Sequence, residues 1–295
     1  MPASHIQRRH FRRVVGRSQR TAIGAVLALV LMGLLPGLVA AGGPVAGADV
    51  AHAATDKGTP SPPAPIGYDV SYPQCDRVLP GNVAFGIVGV NGGIVYSPNP
   101  CLGVGDLPSQ LAWAGQDAEL YANTGNPGPE LSARWPAGQQ EPRLCDAADP
   151  DTAECAFDYG WNAAADSYAT AVAAYVSLGW ADAGATRTPV ANHWWLDVET
   201  ANSWRDDPVL NVAALQGAVA YLESVDVASV GFYSAPRMWS RITGDTDEFA
   251  AYPSWVAGAS TLQGAQRNCR GDGFTGGGVE LAQYFSDGFD ANRRC

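Results

Sequence analysis

The chain has 295 residues, of which 46% are hydrophobic and 16% are charged, and its formal net charge is −11. A globular protein of this acidity is not expected to bind nucleic acid or anionic membranes through bulk charge. Six cysteines without CxxC spacing fit an oxidising compartment, and one histidine beyond residue 53 disfavours multi-histidine metal sites and Ser-His-Asp triads. We therefore expect no metal and no cofactor.

The first 53 residues have the features of an export signal. An arginine-rich start, from Arg8 to Arg20, precedes an apolar run over residues 22–41, and Ala51-His52-Ala53 offers a small-x-small cleavage site. The sequence predicts a signal peptide over 1–53, secretion, and no stable membrane partner after cleavage. An uncleaved anchor is the alternative. Removal of this segment leaves 12 basic and 28 acidic side chains.

The next segment, 54–65, is rich in proline, serine and threonine, which predicts a linker. Residues 66–295 suit one domain. Apolar β-type runs predict strands over 66–71, 84–90 and 119–122, with a short helix over 108–116 between the second and the third. Parallel strands of this kind would feed loops at one rim.

Residues 123–157 are rich in glycine, proline and polar side chains and are too long for a plain connection in a compact domain. They predict a surface insertion, closed by a Cys145–Cys155 disulfide, that borders a substrate groove. Nearest-neighbour pairing adds Cys75–Cys101 and Cys269–Cys295, although six cysteines allow 15 pairings.

Strands and helices alternate along the rest of the chain. Apolar spacing of three and four predicts helices over 158–178 and 208–224, the second capped by Asp206 or Asp207. Further elements are predicted as strands at 228–233, 254–257 and 279–285 and a helix at 235–242. The alternation favours a parallel β/α barrel, with functional groups at the carboxyl ends of its strands.

The most informative stretch runs from His193 to Thr200. Its side chains alternate, so Asp197 and Glu199 leave the same face of a strand, whereas both faces carry bulky apolar residues. Two neighbouring carboxyls push their pKa values apart, which is what glycoside hydrolysis requires of an acid and an ionised partner. An ordinary solvent-facing acidic pair is the alternative.

Several short motifs in their chain order resemble the family 25 glycoside hydrolases, which are secreted lysozymes that cut bacterial peptidoglycan. These motifs are Gly67-Tyr68-Asp69-Val70-Ser71, Leu196-Asp197-Val198-Glu199, Gly231-Phe232-Tyr233-Ser234 with Trp239, Trp255-Val256-Ala257, Gln283-Tyr284 and Asp290-Ala291-Asn292. The resemblance covers nearly all of the chain after the leader.

The resemblance implies a flattened, incomplete β/α (TIM-like) barrel whose last strands depart from strict alternation. It implies Glu199 as general acid, with Asp197 assisting the substrate's N-acetyl group or the ring charge, and Asp69 and Asp290 completing an acidic floor. Three aromatic residues would line the sugar site: Tyr233, Trp255 and Tyr284. The implied substrate is peptidoglycan or a related cell-wall glycan.

Two other functions fit the same sequence. A catalytically silent relative would bind cell-wall carbohydrate through the same groove without cleaving it. A structural envelope protein could hold a cation such as Ca²⁺ with the four acids, although no EF-hand-like loop is present in the sequence.

Overall fold

Eight strands pair in chain order to form a closed barrel, in which the last strand also pairs with the first. The computed structural model describes residues 65–180 and 188–295, so the predicted signal peptide and nearly all of the predicted linker lie outside the described residues. The strands are β1 (Ile66–Val70), β2 (Gly86–Gly89), β3 (Glu119–Asn123), β4 (His193–Asp197), β5 (Ser229–Ser234), β6 (Ser254–Ala259), β7 (Val279–Ser286) and β8 (Phe289–Arg294).

The strands from β1 to β7 run parallel to one another, whereas β8 is antiparallel to both of its neighbours, β7 and β1. A tight turn at Asp287 and Gly288, both with positive φ, joins β7 to β8 as a hairpin. The expected TIM-like barrel is confirmed, as is the departure of the last strands from alternation.

The helical layer outside this barrel is uneven. Its members are α1 (Gln110–Ala114), α2 (Ala153–Ser177), α3 (Pro208–Ser224), α4 (Pro236–Thr243) and α5 (Leu262–Asn268). Only a 3-10 turn at Tyr72–Gln74 lies between β1 and β2. The eight strands themselves close the ring. None of the helices in the described residues is long and apolar enough to cross a membrane.

Strand β4 lies between two apolar layers. Trp194 and Leu196 are fully buried on its outer face, in one cluster with Ala164 of α2 and Leu215 of α3. Trp195 points the other way, into a cluster inside the barrel. The period-2 alternation of a strand therefore turns Asp197 inward as well.

The ends of α2 and α3 follow from local sequence. The Thr152 side chain accepts a hydrogen bond from the Cys155 backbone N–H, so α2 begins at Ala153. The sequence had predicted a later start, at residue 158. The Asp207 side chain caps α3, where Pro208 is the first residue. Helix α5 and strand β8 were not expected from the sequence. The three disulfides pair as expected.

Two glycines let α2 and α3 approach each other closely. A Cβ atom on Gly160 would overlap the carbonyl oxygen of Ala214, and one on Gly217 would overlap the carbonyl oxygen of Phe157. Because both neighbours are backbone atoms, they cannot move aside as a flexible side chain would. The helices would have to separate, and the layer behind β4 would loosen.

We expect Gly217→Ala to lower the free energy of unfolding by about 2 kcal/mol or more, since the overlap outweighs the ~1 kcal/mol that alanine gains in a helix. Thermal unfolding measures this difference. Gly81→Ala is the matched control, because a Cβ at Gly81 meets nothing within 4 Å. Equal melting temperatures for the two variants would contradict the close approach.

Candidate active site

Four carboxylates lie together at one end of the barrel. Asp197 is the last residue of β4, and Glu199 follows two residues later. Asp69, near the end of β1, stands directly opposite Asp290 of the antiparallel strand β8. Asp69 and Asp197 are 8% and 4% exposed, whereas Glu199 and Asp290 are half-buried. The cluster therefore has two buried acids and two that are partly open to solvent.

Amide and indole donors hold Asp69 in place. The side-chain amides of Asn292 and Gln283 donate to Asp69 Oδ2 at 2.6 and 3.1 Å. Gln283 Oε1 in turn accepts a hydrogen bond from the Tyr233 hydroxyl at 2.9 Å, and Asn292 Oδ1 accepts one from Trp255 Nε1 at 2.8 Å. The carboxylate of β1 is therefore fixed from β5, β6, β7 and β8.

Asp197 has one bonded and one unbonded oxygen. Asn123 Nδ2 donates to Asp197 Oδ2 at 2.6 Å. The backbone N–H of Asn123 donates to Asn91 Oδ1 at 2.8 Å. Asp197 Oδ1 is buried and has no hydrogen-bond partner among the described residues.

Each of the four carboxyls has a raised pKa. Burial, together with the charge of Asp290, raises the pKa of Asp69 to about 7. Burial raises the pKa of Asp197 well above its usual range, and the neighbouring Glu199 and Asp69 raise it further. Burial and then Asp290 raise the pKa of Glu199, and burial raises that of Asp290. The cluster therefore retains protons at pH values where isolated carboxyls are ionised.

The three aromatic residues expected at the sugar site occupy different positions in the structure. Tyr233 is partly buried, and its hydroxyl pKa is raised well above the usual value by burial and by all four acids. Trp255 is 1% exposed and packs at 4.5 Å from the Tyr233 ring, beneath the acids. It supports the floor and presents no open face to a sugar.

Tyr284 lies on the outer face of the barrel and not with the acids. It belongs to a cluster with Ala265 of α5, because strand alternation turns Gln283 inward and its neighbour Tyr284 outward. The expectation of a sugar contact at Tyr284 is therefore corrected, and Gln283 is the residue of that motif that reaches the site.

Several residues of the site were missed from the sequence. Tyr121 packs edge-on against Trp255 at 6.1 Å, and its pKa is raised well above the usual value by burial and then by Asp69. Asn123 ends β3, and Asn91 follows the end of β2. Because functional groups of such barrels lie at the carboxyl ends of the strands, this position could have identified both as site residues. In residues 65–180 and 188–295, no three His, Cys, Asp or Glu side chains are grouped to hold a metal ion.

The burial of Asp69 makes stability depend on pH. Below about pH 4 the folded and unfolded chains both hold its proton; between about pH 4 and 7 only the folded chain keeps it, so rising pH lowers the free energy of unfolding. We expect Asp69→Asn to remove this loss of stability. Between pH 4 and 8 the free energy of unfolding of the variant should rise, relative to that of the parent, by up to a few kcal/mol.

Denaturant unfolding at each pH measures this difference. Asp272→Asn, at an exposed position, is the control. A difference between Asp69→Asn and the parent that stays constant, or that falls as pH rises, would show that Asp69 does not hold its proton in the folded protein.

Part of the chain is similar to a known protein family. The sequence model of a family described as "Lysozyme-like protein 1" matches residues 184–267, a segment that includes β4, β5 and β6. No curated protein matches the chain.

Three solved structures represent the structural matches. A muramidase from Trichobolus zukalii is 16% identical, with a TM-score of 0.46, over 79% of this chain and 94% of that one. A muramidase from Acremonium alcalophilum is 14% identical (TM-score 0.46) over 78% and 93%, and a bacterial lysozyme from Streptomyces coelicolor is 15% identical (TM-score 0.44) over 78% and 92%. The family model confirms the resemblance to lysozymes expected from the motifs, as a similarity over residues 184–267.

Proposed function

We propose that the chain is a secreted glycoside hydrolase that cleaves β-1,4 bonds in the glycan strands of peptidoglycan, as an N-acetylmuramidase does. The observation that carries the proposal is the meeting of four acids from β1, β8 and the end of β4, two buried and two half-open. Glycosidases need a protonated carboxyl beside a second carboxyl across the scissile bond.

Glu199 is the general acid in this proposal. It is half-buried, and its raised pKa lets it keep a proton at a higher pH than an ordinary glutamate. A general acid acts only while protonated, so activity declines as pH rises through this pKa, and the negative charge of Asp290 extends the active range toward neutral pH.

Asp197 assists the reaction in this proposal. Asn123 donates to Oδ2 and orients the Asp197 carboxyl, which assists the substrate's N-acetyl group or acts on the positive charge that develops on the sugar ring. Asp69 and Asp290 complete the acidic floor, and Tyr233 lies at its edge. The flattened cross-section implied by the resemblance belongs to the same proposal.

Secretion is part of the proposal. The sequence of residues 1–53 supports export, and the three disulfides are typical of proteins that fold outside a reducing compartment. The expected partner is the glycan of the cell wall.

We expect Glu199→Gln to reduce the release of reducing ends from purified cell walls by about a hundredfold or more, since an amide cannot donate the proton to the leaving oxygen. Its melting temperature should stay close to that of the parent. Glu248→Gln, at an exposed glutamate outside the site, is the matched control.

Unchanged release by Glu199→Gln would remove this residue from the role of acid. Walls that bind the parent protein without any release of reducing ends would instead identify a catalytically silent carbohydrate-binding protein.

A further inference from the structure

A groove opens beside the four acids, between the predicted insertion and the loops that follow β2 and β4. We call it the insertion groove; it encloses about 260 Å³, and its lining includes Ile94, Tyr96, Leu131, Arg134 and Asn202. Pockets that bury a whole small molecule usually measure about 300–1,000 Å³, so this volume suits a short branch of a larger substrate.

Residues in the wall of the insertion groove are hydrogen-bonded to the backbone of Asp197 and Glu199. Thr124, in its wall, donates from its amide and its hydroxyl to the carbonyl oxygen of Asp197, at 3.1 and 2.6 Å. The Asn202 amide donates to the carbonyl oxygen of Glu199 at 3.1 Å. A polymer whose bond lies at Glu199 therefore has the groove beside it.

Aromatic packing anchors the insertion against α2. The Tyr96 ring lies edge-on to Tyr159 at 5.7 Å, and Trp135 stacks on Tyr159 at 5.1 Å. Tyr159 is 3% exposed, and Trp135 Nε1 donates to the carbonyl oxygen of Pro150 at 2.7 Å. This packing holds one side of the groove, at Tyr96 and Tyr159, against α2.

The chemistry of the lining favours a peptide over further sugar. Arg134 lies over one face of the Tyr96 ring, with its Cζ 5.1 Å from the centroid, so a sugar could not stack on that face. Ile94 and Leu131 are aliphatic and are 62% and 79% exposed. A cation beside exposed aliphatic side chains is complementary to a short peptide that carries carboxylates and methyl groups.

The acids near the groove leave the Arg134 guanidinium available. The charge of Glu130 interacts with that of Arg205. Arg205 also forms a two-point ion pair with Asp151, at 2.6 and 2.7 Å. Burial raises the pKa of the Tyr96 hydroxyl, and the charges of Tyr159 and Asp166 raise it further. Within the described ranges, Arg134 forms no ion pair.

We propose that the insertion groove binds the peptide stem carried by the glycan strand, with Arg134 on a stem carboxylate and Leu131 and Ile94 on its aliphatic side chains. This inference rests on the proposed function, since it assigns a branch of the same substrate to a site next to Glu199.

The test compares intact peptidoglycan with the same glycan strands after an amidase has removed the stems. The parent should prefer intact walls, both in sedimentation binding and in kcat/KM for reducing-end release. In Arg134→Ala and Leu131→Ser this preference should fall by about fivefold or more, the scale of one charge-assisted or apolar contact. Arg237→Ala and Leu144→Ser, which change exposed residues outside the groove, are the matched controls.

The outcomes separate the two proposals. Equal use of intact and stripped strands by the parent would overturn the groove while leaving the hydrolase in place. A binding preference that Arg134→Ala abolishes, without any bond cleavage, would support the groove and overturn the hydrolase. If the parent neither binds nor cleaves either form, both proposals are wrong.

Discussion

Four carboxylates at one end of the barrel would repel one another, and the residues around them limit this repulsion. Ionised groups this close, two of them buried, would repel one another strongly in a medium of low dielectric constant. Protons that stay on the cluster reduce this repulsion, as the raised pKa values of Asp69 and Asp197 indicate. Neutral amide donors stabilise the carboxyls as well. Asn123, Gln283 and Asn292 orient the carboxylates without adding charge.

The barrel brings these acids together because each one is set by the register of a strand. The layer formed by α2 and α3 holds Trp194 and Leu196 outside, which leaves Asp197 inside. The antiparallel return of β8 places Asp290 opposite Asp69. Helix packing outside and strand pairing at the closure therefore both determine the chemistry inside.

Sequence reasoning reached the central strand, the barrel and the disulfides because their signals are local. Alternation marks β4, regular apolar spacing marks α3, and cysteine order happened to match the pairing. Helix α5 has seven residues, too few for a clear period, and β8 has the polar sequence Phe289–Arg294 because Asp290 and Asn292 face a polar interior. Tyr284 was misplaced because alternation gives two faces without saying which one is inside.

Mass spectrometry of the soluble fragments released from peptidoglycan tests the central claim most directly, because it identifies the bond that is cut. We expect fragments with N-acetylmuramic acid at the reducing end, since an N-acetylmuramidase cleaves the glycosidic bond of that sugar. Fragments that end in another sugar, cuts only in the peptides, or no fragments from walls that the protein binds would contradict the claim.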